Sequence, residues 1–176
     1  SMDRHGIIRR ANRAFLDSAA TAQRPAAVLD AQRRFYETMN ANPLRGLYRL
    51  SVEATAAIDD ASAHVASFIG AVDDAGKPQG NQIVFTRNAS ESLNLVAQTL
   101  GRTVVGPGDD VVISIMEHHS NIIPWQQLCR EVGANLVYLR MDDDYRITPD
   151  EVAAKIDPRA KMVSRGKVCN VLGVER

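Results

Sequence analysis

The sequence predicts an α/β protein with a mostly parallel sheet and flanking helices. Two observations carry that prediction. From residue 82 onward, short apolar runs alternate with amphipathic stretches, the order that builds parallel strands joined by crossover helices. The run Val111 to Ile115 is continuously apolar apart from Ser114, as expected of a strand covered on both faces, and it leads into Met116-Glu-His-His-Ser-Asn121. In open α/β sheets ligands sit outside the carboxyl ends of the strands, so adjacent imidazoles at such an end mark where chemistry is expected.

Composition sets the frame. The 176 residues are 45% hydrophobic and 24% charged, in keeping with one globular domain. Lys plus Arg and Asp plus Glu each total 21, so net charge gives no argument for nucleic acid or an acidic membrane as partner. No apolar run approaches the ~18 residues that span a bilayer. Ser1-Met2 reads as an expression remnant ahead of a native start, with no signal peptide following. Cys129 and Cys169 lack metal-ligand spacing and suit a reducing cytoplasm.

In chain order, Arg4, Arg9, Arg10 and Arg13 read as a solvated arm within residues 1–25, which end in the small-residue loop 18–22. The rest, 26–176, reads as one domain. Val28, Leu29, Phe35 and Met39 give residues 26–39 helical periodicity. Asn40 to Pro43 ends that helix, and Arg45 follows in an irregular loop, as a surface arginine or a carboxylate holder. A second helix opens near Ser51, with Ala54, Ile58, Ala61, Val65 and Phe68 on its apolar face; His64, beside that stripe, reads as structural.

Residues 82–86 read as the first strand. Asn88 and Glu91 then have the spacing of a capping box for a helix with Leu93, Val96, Ala97 and Leu100 on one side. Such a helix start is either an ordinary cap or a phosphate site, since its free N–H groups point outward. After the histidine strand, Ile122 to Val132 form a helix that Gly133 ends. Residues 135–139 and 160–164 read as further strands, with a helix begun by Thr148-Pro149-Asp150-Glu151 between them.

Three chemistries compete at Glu117-His118-His119. A metal site needs three or four convergent ligands, and no other His or Cys has suitable spacing. A hydrolase needs a nucleophile, and no Gly-x-Ser-x-Gly elbow is present. Stacking on a flat cofactor needs one ring at a strand end with a phosphate site nearby, which residues 87–91 could supply.

Four landmarks add to this reading: Phe15-Leu-Asp-Ser-Ala-Ala-Thr-Ala-Gln-Arg-Pro25, Arg45-Gly46, Met116-Glu-His-His-Ser-Asn-Ile-Ile-Pro-Trp125 and Asn170-Val-Leu-Gly173. In this order they resemble the class-V aminotransferase family, most of all its cysteine desulfurases and selenocysteine lyases. The resemblance implies the N-terminal part of the large domain of a fold-type-I transferase dependent on pyridoxal 5′-phosphate (PLP). It implies that His118 stacks on the cofactor ring and moves protons, that Ala89 and Ser90 hold the phosphate, and that Asn170 lies near the ring oxygen and the substrate carboxylate. Ala19 and Arg45 would line the substrate entrance near a homodimer interface.

The implied reaction converts L-cysteine to L-alanine and a persulfide, which passes to a sulfur-acceptor protein for iron–sulfur assembly. Other class-V activities (an aminotransferase or a kynureninase-like lyase) and a non-catalytic interaction module are the alternatives. Asn88-Ala89-Ser90 stands where relatives carry Gly-Thr-Thr or similar, which removes one phosphate hydroxyl; Leu44 stands where His is frequent, and Lys167-Val-Cys-Asn170 where His-Val-Ser-Asn is usual. Lys167 is therefore not the expected Schiff-base lysine. That lysine, the aspartate partnering the pyridine nitrogen and the persulfide cysteine are expected beyond residue 176, so this chain alone is not expected to turn over cysteine. The strand at 82–86 would then lack its neighbours, and the chain is expected to repack, pair with another copy or require further sequence.

Overall fold

A computed structural model describes Ser18, residues 20–44 and residues 46–173. The arginine arm, Ala14 to Asp17, Ala19 and Arg45 lie outside the described residues. The chain forms two compact units, Ser1–Phe85 and Thr86–Arg176.

The first unit is helical. Helix α1, Ala26–Thr38, begins one residue after Pro25, whose extended backbone (ψ 147°) suits an N-cap. Its expected stripe is real but shallow: Leu29, Phe35 and Met39 are half-buried and Val28 is exposed. Helix α2, Arg49–Ile69, ends at Gly70 with φ 76°, the left-handed cap that glycine adopts without penalty. The loop before it is tied down by α2 itself. Ser51 Oγ accepts from Gly46 N at 3.0 Å and donates to Asn42 O at 2.6 Å, while Thr55 Oγ1 accepts from Leu44 N at 2.8 Å. A Cβ at Gly46 would lie 2.5 Å from Ser51 Oγ, so only glycine fits there.

The expected apolar face of α2 is corrected. Ser51, Ala54 and Ala66 are its buried residues, whereas Phe68 is 91% exposed and Ile58 is also exposed. The physical reason is the neighbour. A short turn, Gly80–Gln82, packs so closely that a Cβ on Gly80 would lie 3.1 Å from Ala63 N, and such approach needs the small-residue side of the helix.

Residues 82–86 form no strand, which corrects another expectation. Gln82 closes the turn and Ile83 is extended, but none of these residues pairs with a strand among the described residues. Apolar, β-branched sequence favours extension; a ladder additionally requires a neighbour.

The second unit is the α/β body. Helix α3, Ala89–Val96, is capped by Asn88, whose side chain accepts from Glu91 N at 2.9 Å. The capping box is half as expected, because Glu91 Oε2 reaches back to Arg87 N (2.7 Å) rather than to Asn88. Arg87 also donates from Nε at 3.1 Å, and these bonds hold the Glu91 carboxyl below the usual carboxylate range. The helix continues through a π-turn, Ala97–Gly101, into a last short turn α4, Arg102–Val104. One extra residue per turn rotates the face, which buries Ala97 and Gly101 and leaves Leu100 exposed.

Strand β1, Asp110–Ser114, is buried throughout and lies centrally in a three-stranded parallel sheet of order β2-β1-β3. Strands β2, Asn135–Leu139, and β3, Ala160–Ser164, pair with it in the registers Val112 to Val137 and Val112 to Val163. Helix α5, Ile123–Val132, lies between β1 and β2 in the chain, with Pro124 in its first turn and Gly133 (φ 75°) beyond its end. Helix α6, Pro149–Lys155, is capped by Thr148, whose Oγ1 accepts from Glu151 N at 3.2 Å. Val111 and Ile113 face Trp125, Leu128, Cys129, Ala97 and Val105 in one cluster, while Val112 is buried on the opposite side of the strand. No described helix is long and apolar enough to cross a membrane.

The core makes a prediction at Gly101. A Cβ there would lie 2.7 Å from Leu128 Cδ2, in a side chain with no exposed surface to retreat into. Gly101→Ala gains about 1 kcal/mol of helix propensity but incurs about 1–3 kcal/mol of overpacking. The expected net is a loss of about 1 kcal/mol in urea unfolding, opposite in sign to an unhindered Gly→Ala exchange in a helix.

Candidate active site

The site grows from the end of β1. Ile115 N still donates to Leu139 O at 3.0 Å, and then the chain leaves the sheet. Ser114 Oγ accepts from Met116 N at 3.3 Å and donates to Glu117 Oε1 at 2.5 Å, folding the turn back on the strand. His118 is extended (ψ 147°) and caps a single helical turn, His119–Asn121.

The His118 ring is held through one nitrogen. Ser120 N lies 3.1 Å from Nδ1 and Ser120 Oγ 2.8 Å from it. A backbone N–H only donates, so Nδ1 is an acceptor and the ring proton belongs to Nε2. The tautomer and the ring orientation are thus set by Ser120, and the Nε2–H edge is left for other work. His119 is exposed and edge-on to His118, with ring centroids 6.2 Å apart at 83°.

A cleft of about 260 Å³ opens at this strand end, with His118 and Glu117 on one side, Gly166, Cys169 and Asn170 on another, and Leu93 of α3 contributing. His118 and Asn170, 52 positions apart in the chain, therefore share a cavity. Ala89 and Ser90 are exposed at the start of the same helix that brings Leu93 to the cleft. Their amides have no acceptor within the helix, and the helix dipole adds positive potential there, as an anion requires. Lys167 is exposed and does not line the cleft, although Gly166 and Val168 on either side of it do. Ala19 and Arg45 lie outside the described residues, so their expected place at the entrance is not seen.

Among the described residues no three His, Cys, Asp or Glu side chains converge on a metal position. The Ser120–His118 contact joins residues two apart in one turn, and no carboxylate is bonded to Nε2 among the described residues. Stacking needs only the held ring beside an open cavity. Both thiols are buried. Burial, and after it the charge of Asp110, pushes the Cys129 thiol up, which makes it an inert core group. Cys169 Sγ lies 3.8 Å from Met116 O and 3.5 Å from Leu172 N in the loop before Gly173.

A polar cluster behind His118 was not anticipated from sequence. Glu117 Oε2 accepts from Asn121 Nδ2 at 2.8 Å, and Gly166 N lies 3.0 and 2.9 Å from the two carboxylate oxygens. Asn121 Oδ1 in turn accepts from Trp125 Nε1 at 2.8 Å and Ser164 Oγ at 2.7 Å. The one sequence signal was the spacing of Glu117, Asn121 and Trp125, four residues apart each time, although Glu117 stands in the irregular turn ahead of the helical residues. The partners on β3 and its loop, Ser164 and Gly166, lie more than 40 residues away and leave no local trace.

Comparison with known proteins identifies the family. The model of the family described as aminotransferase class-V matches residues 14–176. A cysteine desulfurase from Haloferax volcanii is 44% identical over 159 residues, covering 90% of this chain and 36% of its own length. One from Dickeya dadantii is 44% identical over 160 residues, covering 91% and 37%. An apo cysteine desulfurase structure from Thermococcus onnurineus superposes with a TM-score of 0.81 at 38% identity, over 90% of this chain and 38% of that one. The chain thus spans little more than a third of the length of these relatives. A family model that matches residues 14–176, with a fold that superposes on the Thermococcus onnurineus structure, shows that this chain belongs to the class-V aminotransferase family.

Proposed function

We propose that this chain is the cofactor-facing part of a PLP-dependent cysteine desulfurase acting on L-cysteine as a homodimer and delivering sulfur to an acceptor protein. The observation that carries the reading is the shared cleft: His118, fixed in one tautomer, and Asn170 line the same cavity at the carboxyl end of β1. The names and identity of the relatives support the choice of desulfurase within the family.

The residues present fit the cofactor. The His118 ring offers a flat, oriented surface, and the start of α3 offers unbonded amides at Ala89 and Ser90 with the Ser90 hydroxyl beside them. Bound PLP supplies an electron sink for bond cleavage at the substrate amino acid. His118 would stack on the ring and hold a proton at Nε2 that it can donate, the nitrogen that Ser120 leaves available. Asn170 donates from its amide to the ring oxygen or the substrate carboxylate. Ala89 contributes only its amide to the phosphate, so Ser90 carries the hydroxyl contact alone. Ala19 and Arg45 complete the substrate entrance in this reading.

The test is an absorbance titration of the chain with PLP beside His118→Ala. Loss of an aromatic contact worth about 0.5–1.5 kcal/mol weakens binding about 3–10-fold. Equal affinity in both forms would remove His118 from the site. Absence of saturable binding to the parent chain would show that these residues do not hold the cofactor by themselves.

A further inference from the structure

We infer that Glu117 is a positioning residue that sets the spacing between the two walls of the cleft. The inference rests on the PLP reading above for its ligand, and on geometry alone for its structural part. One wall is the β1 end with His118, directly bonded to Glu117 in the chain. The other is the loop after β3, which carries Gly166 and Asn170. Glu117 joins them: Gly166 N lies within 3.0 Å of both its oxygens, 49 residues away in sequence. The same carboxylate takes Ser114 Oγ from the strand and Asn121 Nδ2 from the helical turn.

Each of these partners is a donor, so the carboxylate is used as an acceptor on both oxygens, the arrangement that charge-assisted hydrogen bonds favour. A Cβ on Gly166 would already lie 3.4 Å from Glu117 Oε2, so backbone and carboxylate are close-packed. Strand end, helical turn and loop thus meet on one side chain. If that chain is shortened, Gly166 loses both carboxylate contacts, and the links that remain between the two walls include the Ser164–Asn121 bond at the end of β3 and the Cys169 Sγ contact with Met116 O. Glu117 also lines the cleft beside His118, so a change in its reach alters the cavity rather than a distant part of the unit.

The test compares Glu117→Ala, Glu117→Gln and Glu117→Asp with the parent chain. It reads the hydrogen exchange of the Gly166 amide, the His118 and Asn170 side-chain resonances, and PLP affinity. Losing one charge-assisted bond corresponds to about tenfold or more, so Gly166 exchange in Glu117→Ala is expected to rise at least that much, with PLP binding weakened in parallel. Glu117→Gln keeps one oxygen for Gly166 and Asn121 and is expected to restore most of the protection. Glu117→Asp, shorter by a methylene, keeps the charge and still loses Gly166; it serves if the alanine form does not fold.

Unchanged Gly166 protection in Glu117→Ala and Glu117→Asp would overturn the inference. So would faster exchange with unchanged PLP affinity, because the carboxylate would then hold the loop without setting the site. If the parent chain binds no PLP, the proposed function fails on its own terms. Exchange and the His118 and Asn170 resonances then decide the positioning role, unmoved resonances counting against it.

Discussion

Trp125→Ala is expected to remove about 3–5 kcal/mol of stability, a large share of the ~5–15 kcal/mol that holds a typical domain folded. Trp125 is 1% exposed in the first turn of α5, and its ring sits among Val111, Ile113, Leu128 and Ala97. Its Nε1 donates to Asn121 Oδ1 at 2.8 Å, so the same side chain anchors the core and the polar cluster behind His118. Trp125→Phe separates the two contributions. It keeps most of the apolar contact and leaves Asn121 Oδ1 with Ser164 as its remaining donor, for a loss of about 1–2 kcal/mol. Because Trp125 is the only tryptophan, parent unfolding can be followed by fluorescence, but the variants need circular dichroism. A cost below about 1.5 kcal/mol for Trp125→Ala would mean that the cluster around β1 relaxes around the gap, contrary to its close packing.

The parts of the fold legible in the sequence were those with local causes. Strand β1, helix α5 with its Gly133 cap, strand β2 and the Thr148 cap of α6 all rest on periodicity or capping chemistry within a dozen residues. Residues 82–86 were misread because extension is local and pairing is not: the residues suit a strand, and no ladder is offered to them among the described residues. The π-turn at 97–101 shifted the face of α3 by a residue that no propensity marks, and the small-residue packing of Gly80 on α2 displaced the expected stripe. The site divides in the same way. His118 was legible as a residue type at a strand end, and Asn170 through the family resemblance. The Glu117 cluster joins three elements through Ser164 and Gly166, so it exists only once the sheet has assembled.

Asn121→Asp tests that cluster by exchanging a single heavy atom, the amide nitrogen for an oxygen. Asn121 is buried, with Oδ1 committed to Trp125 and Ser164 and Nδ2 donating to Glu117 Oε2 at 2.8 Å. In the aspartate form, one oxygen can keep the Trp125 and Ser164 bonds, and the other then faces the Glu117 carboxylate. Rotating the group only exchanges two equivalent oxygens. Two carboxylates at that distance cannot both ionise, so the folded pair is expected to hold a proton well above the ~3.9–4.3 of free side chains. Once protonated, the new carboxyl donates to Glu117 as the amide did. The folded state then binds more protons than the unfolded chain over the interval between the unfolded and folded values, and stability falls as pH rises through it. The penalty relative to the parent is therefore small below about pH 4 and is expected to grow to about 3 kcal/mol by neutral pH, the scale of an uncompensated buried charge. Urea midpoints of both proteins at pH 5 and pH 8 read this directly. A gap that is the same at both values would show that water or a loop movement separates the two groups, and that Glu117 and Asn121 are less tightly joined than their bond length implies.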